Sequence, residues 1–261
     1  MSVMILGKSE AAENEINDRS LKYATIDNTV KFYHCDAISM LKKLPNESID
    51  LITTDPAYSG MNNMLKLGKG RIVGTYSEKG KETGKWFSEF QDSPENYRAF
   101  LSECKRVLKK KSGHIYIMFD SFSLLTLAPI VREFFEVKNL ITWDKVNMGM
   151  GHYYRRRHEY ILFATNGNNK KIRGRNFPDV WRFKRVHSAG YPTQKPVEVF
   201  QTMIFASANI GDTVCDPFLG SGSSAVAALK NGCKFIGADI AEKSIEVSSS
   251  RIKHFLETGV D

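Results

Sequence analysis

No apolar run in this chain approaches the ~20 residues that a membrane-spanning helix requires, so none is expected and no membrane figures among its expected partners. Residues 1–20 lack the basic-then-apolar layout of a signal peptide. With their acids and asparagines, residues 1–22 read as a partly disordered tail. Cysteine is scarce. Cys35, Cys104, Cys215 and Cys233 stand apart with no C-x-x-C pair, which argues against a disulfide framework and for reduced, buried thiols inside a cell. No metal site is expected, and no internal repeat of fixed period is present. Acids are in deficit too, 29 against 37 Lys and Arg, for a net charge of +8.

That deficit is local. Between Lys145 and His187, eleven Lys and Arg face two acids, Glu159 and Asp179; between Ser59 and Lys85, six face Glu78 and Glu82. The remainder is mildly acidic. Such asymmetry points to a polyanion held by specific regions. In the first segment Arg155, Arg156 and Arg157 follow two tyrosines, and Phe177, Trp181 and Phe183 are interleaved with Arg173, Arg175, Arg182, Lys184 and Arg185. Cations take phosphates and rings stack on bases. The same rings could instead pack the insertion, about residues 166–190, onto the core. The second segment, 59–85, contains Lys69, Arg71 and six of the nineteen glycines, with little periodicity. So long a stretch inside a compact domain reads as a mobile lid.

Strand-like runs at 31–35, 49–53, 114–119, 137–143, 158–164, 212–215 and 234–238 alternate with helical patterns. The helices fall at 37–44, from Pro94, at 124–135, after Pro196, at 225–230 and near the C-terminus. Asp92-Ser93-Pro94-Glu95 is a helix start, with a capping side chain, proline at the first position and an acid in the first turn. The alternation predicts an α/β fold: a doubly wound, mostly parallel seven-stranded sheet with helices on both faces, as one domain over 23–261.

Two strand ends carry chemistry. The run Ile49–Thr53 is followed by Asp55-Pro56-Ala57-Tyr58. Pro56 fixes its own φ and pushes Asp55 towards an extended conformation, so a carboxylate and a ring are held stiffly where open α/β sheets bind ligands. Alone, Asp-Pro is equally a turn signal. The second end is Asp216-Pro217-Phe218-Leu219-Gly220-Ser221-Gly222-Ser223-Ser224. Its glycines allow close backbone approach, and the helix that follows points free N–H groups at a ligand. Asp239 ends the next strand, where an acid suits ribose hydroxyls. Residue 225 is alanine where a dinucleotide site has its third glycine, and no Gly-Lys-Ser/Thr follows, so the pattern favours neither NAD nor ATP.

Asp-Pro-Phe-Leu-Gly-Ser-Gly at 216–222, Pro-Thr-Gln-Lys-Pro at 192–196 and Asp-Pro-Ala-Tyr at 55–58 together resemble the exocyclic-amino DNA methyltransferases of the permuted β class, over about Lys31 to Phe255. The resemblance implies S-adenosylmethionine as cofactor and double-stranded DNA as substrate. Asp55, Pro56 and Tyr58 would form the catalytic site. Asp36, Asp55, Thr193, Lys195, Asp216, Phe218, Gly220, Ser221, Gly222, Ser223 and Asp239 would surround the cofactor. Lys69, Arg71 and the arginines and lysines of 155–185 named above would meet DNA. Asp rather than Ser at the head of the motif implies adenine N6 over cytosine N4. The Pro-Cys pair of C5-cytosine enzymes is absent. RNA as substrate, a small-molecule methyltransferase and a catalytically dead DNA-binding module are the competing readings. A homodimer, a cognate restriction endonuclease and a cytoplasmic, nucleoid-associated setting are further expectations of the family. Ala57, Tyr191 and Asp239 depart from its commonest residues, which are Pro, His and Glu.

Overall fold

The computed structural model describes residues 18–56, 93–149, 153–167, 170–186, 191 and 194–261. Among the described residues, nine strands form one sheet in the order β1-β2-β9-β8-β3-β4-β6-β5-β7. They are β1 Leu21–Ala24, β2 Val30–His34, β3 Leu51–Thr54, β4 His114–Phe119, β5 Glu136–Asp144, β6 His158–Thr165, β7 Val180–Arg182, β8 Thr213–Asp216 and β9 Lys234–Asp239. All run parallel except β1 and β6, which are reversed. The seven strands expected from sequence are present. The additional two are the edges, β1, which begins inside the stretch read as a tail, and β7, which pairs with Thr142–Asp144.

Among the described residues, six helices cover the sheet: α1 Ala37–Lys43, α2 Pro94–Val107, α3 Ser121–Phe134, α4 Val197–Ser207, α5 Ser223–Lys230 and α6 Glu242–Thr258. The first three bury their apolar residues on one face, and the last three on the other. α2 shows why the chain folds so. Ser93 caps it by accepting from Asn96 N, Pro94 opens it, and Tyr97, Phe100, Leu101, Cys104 and Val107 repeat at helical spacing and are all buried. α3 starts three residues before the periodic pattern does. Asp120 accepts from the backbone of Phe122 and Ser123 and draws Ser121-Phe122-Ser123 into the helix. Among the described residues no helix is long and apolar enough to cross a membrane. Cys104, Cys215 and Cys233 are buried and all four thiols are free.

Trp181 is buried against this core, and its indole donates to Pro178 O at 2.9 Å. It packs the insertion onto the sheet and is not offered to a base. Phe183 also packs on the core, and its carbonyl accepts from the Trp143 indole at 2.8 Å.

Candidate active site at the carboxyl edge of the sheet

Every parallel strand from β2 to β5 delivers an aspartate to the carboxyl edge of the sheet. Asp239, Asp216 and Asp144 are the last residues of β9, β8 and β5, Asp55 and Asp120 directly follow β3 and β4, and Asp36 lies two residues beyond β2. Five of the six are engaged by nearby backbone. Asp36 caps α1 by accepting from Ser39 N at 2.9 Å, and Asp120 caps α3. Asp239 accepts from Gly220 N and Ala241 N, both at 2.9 Å. Asp216 accepts from Phe218 N at 3.0 Å and from Ser224 Oγ at 2.6 Å. Asp144 accepts from Val146 N at 2.8 Å and pairs with Arg157.

Asp55 differs. Its carboxylate takes a hydrogen bond from the ammonium of Lys195, 140 residues further along the chain. That ammonium also lies 3.5 Å from Glu159 Oε2, and Lys145 Nζ donates to Glu159 Oε1 at 3.0 Å. Charges therefore alternate along a row: Asp55, Lys195, Glu159, Lys145. The four side chains are only 18–24% exposed. Burial pushes Asp55 above the usual carboxylate range despite Lys195 beside it. Burial would lift Glu159 as well, but Lys195 and Lys145 hold it below that range. Burial would lower the Lys195 ammonium, and the two carboxylates hold it above the usual lysine range.

The backbone of Lys195 is tied to the glycine loop, since its carbonyl accepts from Ser223 Oγ at 2.7 Å. In that loop Gly222 adopts φ 79°, and a Cβ there would stand 2.9 Å from Ser248 Cβ of α6. Only glycine allows α5 to begin so close to α6. Arg251 of α6 donates to Ser221 O at 3.1 Å and Ser223 Oγ at 2.9 Å. The side chains of Ser221 and Ser223 are buried and hold the loop from within. Phe218 packs edge-on against Phe100 of α2, with ring centroids 5.4 Å apart. Tyr191 is buried beside Gly220, and its hydroxyl shares a hydrogen bond with Ser244 Oγ at 2.9 Å. Burial pushes that phenol up to about 12.

The structure thus brings Asp36, Asp55, Pro56, Lys195, Asp216, Phe218, Gly220, Ser221, Gly222, Ser223 and Asp239 to one edge of the sheet. Tyr58, Thr193, Lys69, Arg71 and the 59–85 lid lie outside the described residues. Glu159, Lys145 and Arg251 were not singled out from sequence. The one available signal was that Glu159 is an acid within the most basic stretch of the chain.

The basic residues divide between the two edges. Arg157 and Arg182 flank Asp144 at the carboxyl edge, with Lys184 and Arg185 just beyond. Arg155 is exposed there, and the Arg156 guanidinium sits 5.3 Å from the Phe122 ring centroid. Arg175 is exposed. Arg173 lies elsewhere. It donates to Phe205 O at 3.0 Å and Ala208 O at 2.9 Å, capping the C-terminus of α4 at the opposite, amino edge. A cation there answers the negative end of a helix dipole.

The family model described as DNA methylase matches residues 49–250. The chain is 31% identical to the type II methyltransferase M2.DpnII of Streptococcus pneumoniae, over 88% of this chain and 92% of that protein. It is also 31% identical to the DNA adenine methyltransferase YhdJ of Escherichia coli K12, over 84% and 81%. Among solved structures, the cytosine-N4-specific PvuII DNA methyltransferase superposes with a TM-score of 0.70 at 16% identity, covering 94% of this chain and 92% of that one. A complex of M1.HpyAVI with SAM superposes with a TM-score of 0.62 at 21% identity, covering 85% and 99%. At these identities the superpositions establish the shared fold.

Proposed function

Since the chain belongs to the DNA methylase family, we propose that it transfers a methyl group from S-adenosylmethionine to the N6 amine of adenine in double-stranded DNA. The observation that carries this reading is the Asp55 carboxylate. It stands at the end of the central strand β3, and Lys195 links it to the glycine loop.

The residues present fit that cofactor. Gly222 leaves no room for a Cβ, the α5 N-terminus carries no side-chain cap, and the carboxylates of Asp239 and Asp36 suit ribose hydroxyl and adenine amino donors. When bound, the cofactor supplies an electrophilic methyl group. The rest falls to the chain. An exocyclic amine is a poor nucleophile because its lone pair is delocalised into the ring. Asp55 and the Pro56 carbonyl accept its two hydrogens, draw the nitrogen towards tetrahedral geometry and aim the lone pair. Transfer leaves the amine with one proton too many, and Asp55, already bonded to it, is the acceptor. Inside a duplex the amine faces its pairing partner, so the base must leave the stack first. Adenine is favoured because aspartate heads the motif and because YhdJ is an adenine enzyme. A homodimer and a cognate endonuclease are further proposals, tested by size-exclusion chromatography and by protection of methylated DNA from cleavage.

The test is incubation with unmethylated duplex DNA and the cofactor, followed by digestion and nucleoside mass spectrometry. N6-methyl-2′-deoxyadenosine is the expected product; N4-methyl-2′-deoxycytidine would move the target base, and no methylated nucleoside would overturn the reading. Asp55→Ala should lower transfer at least 100-fold, the scale of a lost transition-state contact, while cofactor affinity changes only a few-fold.

A further inference from the structure

The methyl-transfer reading assigns no work to Glu159 or Lys145. Both are nearly buried, and both are drawn to the edge by strands that are not neighbours of β3. Glu159 enters on the reversed strand β6, and Lys145 follows β5. Removing ionised side chains from water is costly, and a pair buried for packing alone gains little over apolar residues. Their contacts lead to Asp55. Lys145 holds one oxygen of Glu159, leaving the other 3.5 Å from the Lys195 ammonium that sits on Asp55.

This creates a conflict that Glu159 resolves. An amine can bond to Asp55 only where Lys195 yields an acceptor site. An ammonium displaced in a water-poor site with no second carboxylate would be left unpaired, at a cost that would oppose substrate entry. We propose that Glu159 is a positioning residue for methyl transfer: it receives the Lys195 ammonium when the target amine takes its place on Asp55, and Lys145 limits how strongly it pulls. No bond to carbon is made or broken in this exchange, and no proton changes owner.

The inference rests on the methyltransferase reading, and its test separates the two. Among the described residues, the charged and titratable groups around Asp55 are Lys195 and Tyr191 before α4, Glu159 on β6, Lys145 after β5 and Asp216 on β8. Glu159→Gln removes the receiving carboxylate and a like charge. Lys195 then stays on Asp55, so kcat should fall about tenfold or more, and the acid limb of the rate profile should move to lower pH. Lys145→Met removes a cation and strengthens the pull of Glu159 on Lys195, so its acid limb should move to higher pH. Opposite shifts, with cofactor affinity measured by calorimetry within a few-fold of wild type, support the proposal.

Limbs that stay put or move the same way in both variants overturn it, as does a Glu159→Gln enzyme with unchanged kcat. A purely structural role would lower the melting temperature and leave kcat at the pH optimum unchanged. Should Glu159→Gln fail to fold, the direction of the Lys145→Met shift decides alone. Wild-type enzyme assayed in parallel isolates the premise. If it methylates no DNA the functional reading fails, and if it is active while the variants behave as wild type only the role of Glu159 fails.

Discussion

Asp216 sits almost wholly out of water, and burial pushes its carboxyl up to about 7 against the bonds from Ser224 and Phe218 N. The folded chain thus binds this proton more tightly than the unfolded chain does. Its contribution to stability is greatest below the ordinary carboxylate range and declines as pH rises from about 4 to about 7. Ionising it in the fold costs on the order of 4 kcal/mol above that window. Asp216→Asn removes the titration, so the stability of the variant relative to wild type should increase by roughly 2–3 kcal/mol between pH 5 and pH 8. Thermal unfolding of both proteins across that range reads it, and a difference independent of pH would refute the shifted carboxyl. Single residues differed in how far the sequence exposed them. Asp55 and Gly222 were legible because each belongs to a short local pattern in which a neighbour constrains the backbone. Glu159 was not, because its meaning lies in an ammonium 36 positions away, brought near only when β6 folds back between β4 and β5.

The glycine loop and the helices either side of it work as one element. Gly222 touches Ser248 of α6, Arg251 of α6 holds Ser221 and Ser223, and Ser223 holds Lys195. Gly222→Ala adds a Cβ that must push α6 away, at a φ that side chains rarely adopt. It should destabilise the protein by about 1–3 kcal/mol and weaken cofactor binding at least tenfold. Denaturant unfolding together with calorimetry checks both, and unchanged cofactor affinity would show that the loop does not form the pocket. Elements of this kind were readable from the chain, since their periodicity, caps and turn residues are local. Ser93-Pro94 opens α2 as its chemistry requires, and β4 spans His114–Phe119 as its unbroken apolar run implied. β7 was not readable. Its three residues, Val180 to Arg182, alternate exposed, buried, exposed, and gain their strand character only by pairing with Thr142–Asp144. The first turn of α3 was missed because Asp120 recruits Ser121, Phe122 and Ser123, which extend no helical periodicity of their own.

Over the whole molecule, the sign of the charge matters less than its placement. The basic stretch counted from sequence starts at the carboxyl edge with Lys145 and Arg155 to Arg157, and β6 carries it to the amino edge, where Lys170 lies 3.6 Å from Asp212 and Arg173 caps α4. It crosses the sheet at β7 and ends at the carboxyl edge with Arg182, Lys184 and Arg185, on the side of Asp55. Only the cations at the carboxyl edge can share a duplex with Asp55. Each phosphate neutralised by a cation releases counterions and adds about 0.9 to the slope of log affinity against log salt concentration. Replacing Arg182, Lys184 and Arg185 together by alanine should therefore weaken duplex binding and flatten that slope by up to about 2.7, with little loss of stability, because Arg182 is 71% exposed and its pairing with Asp144 is long at 3.9 Å. Arg173→Ala should do the reverse, leaving the slope unchanged while lowering the melting temperature as the last carbonyls of α4 lose their donor. Fluorescence anisotropy of a labelled duplex over a salt series, paired with thermal unfolding of the same variants, tests both halves. A flatter slope for Arg173→Ala, or an unchanged slope for the triple variant, would place the DNA on a different face from Asp55, and the flipped base would then have no path to the carboxylate.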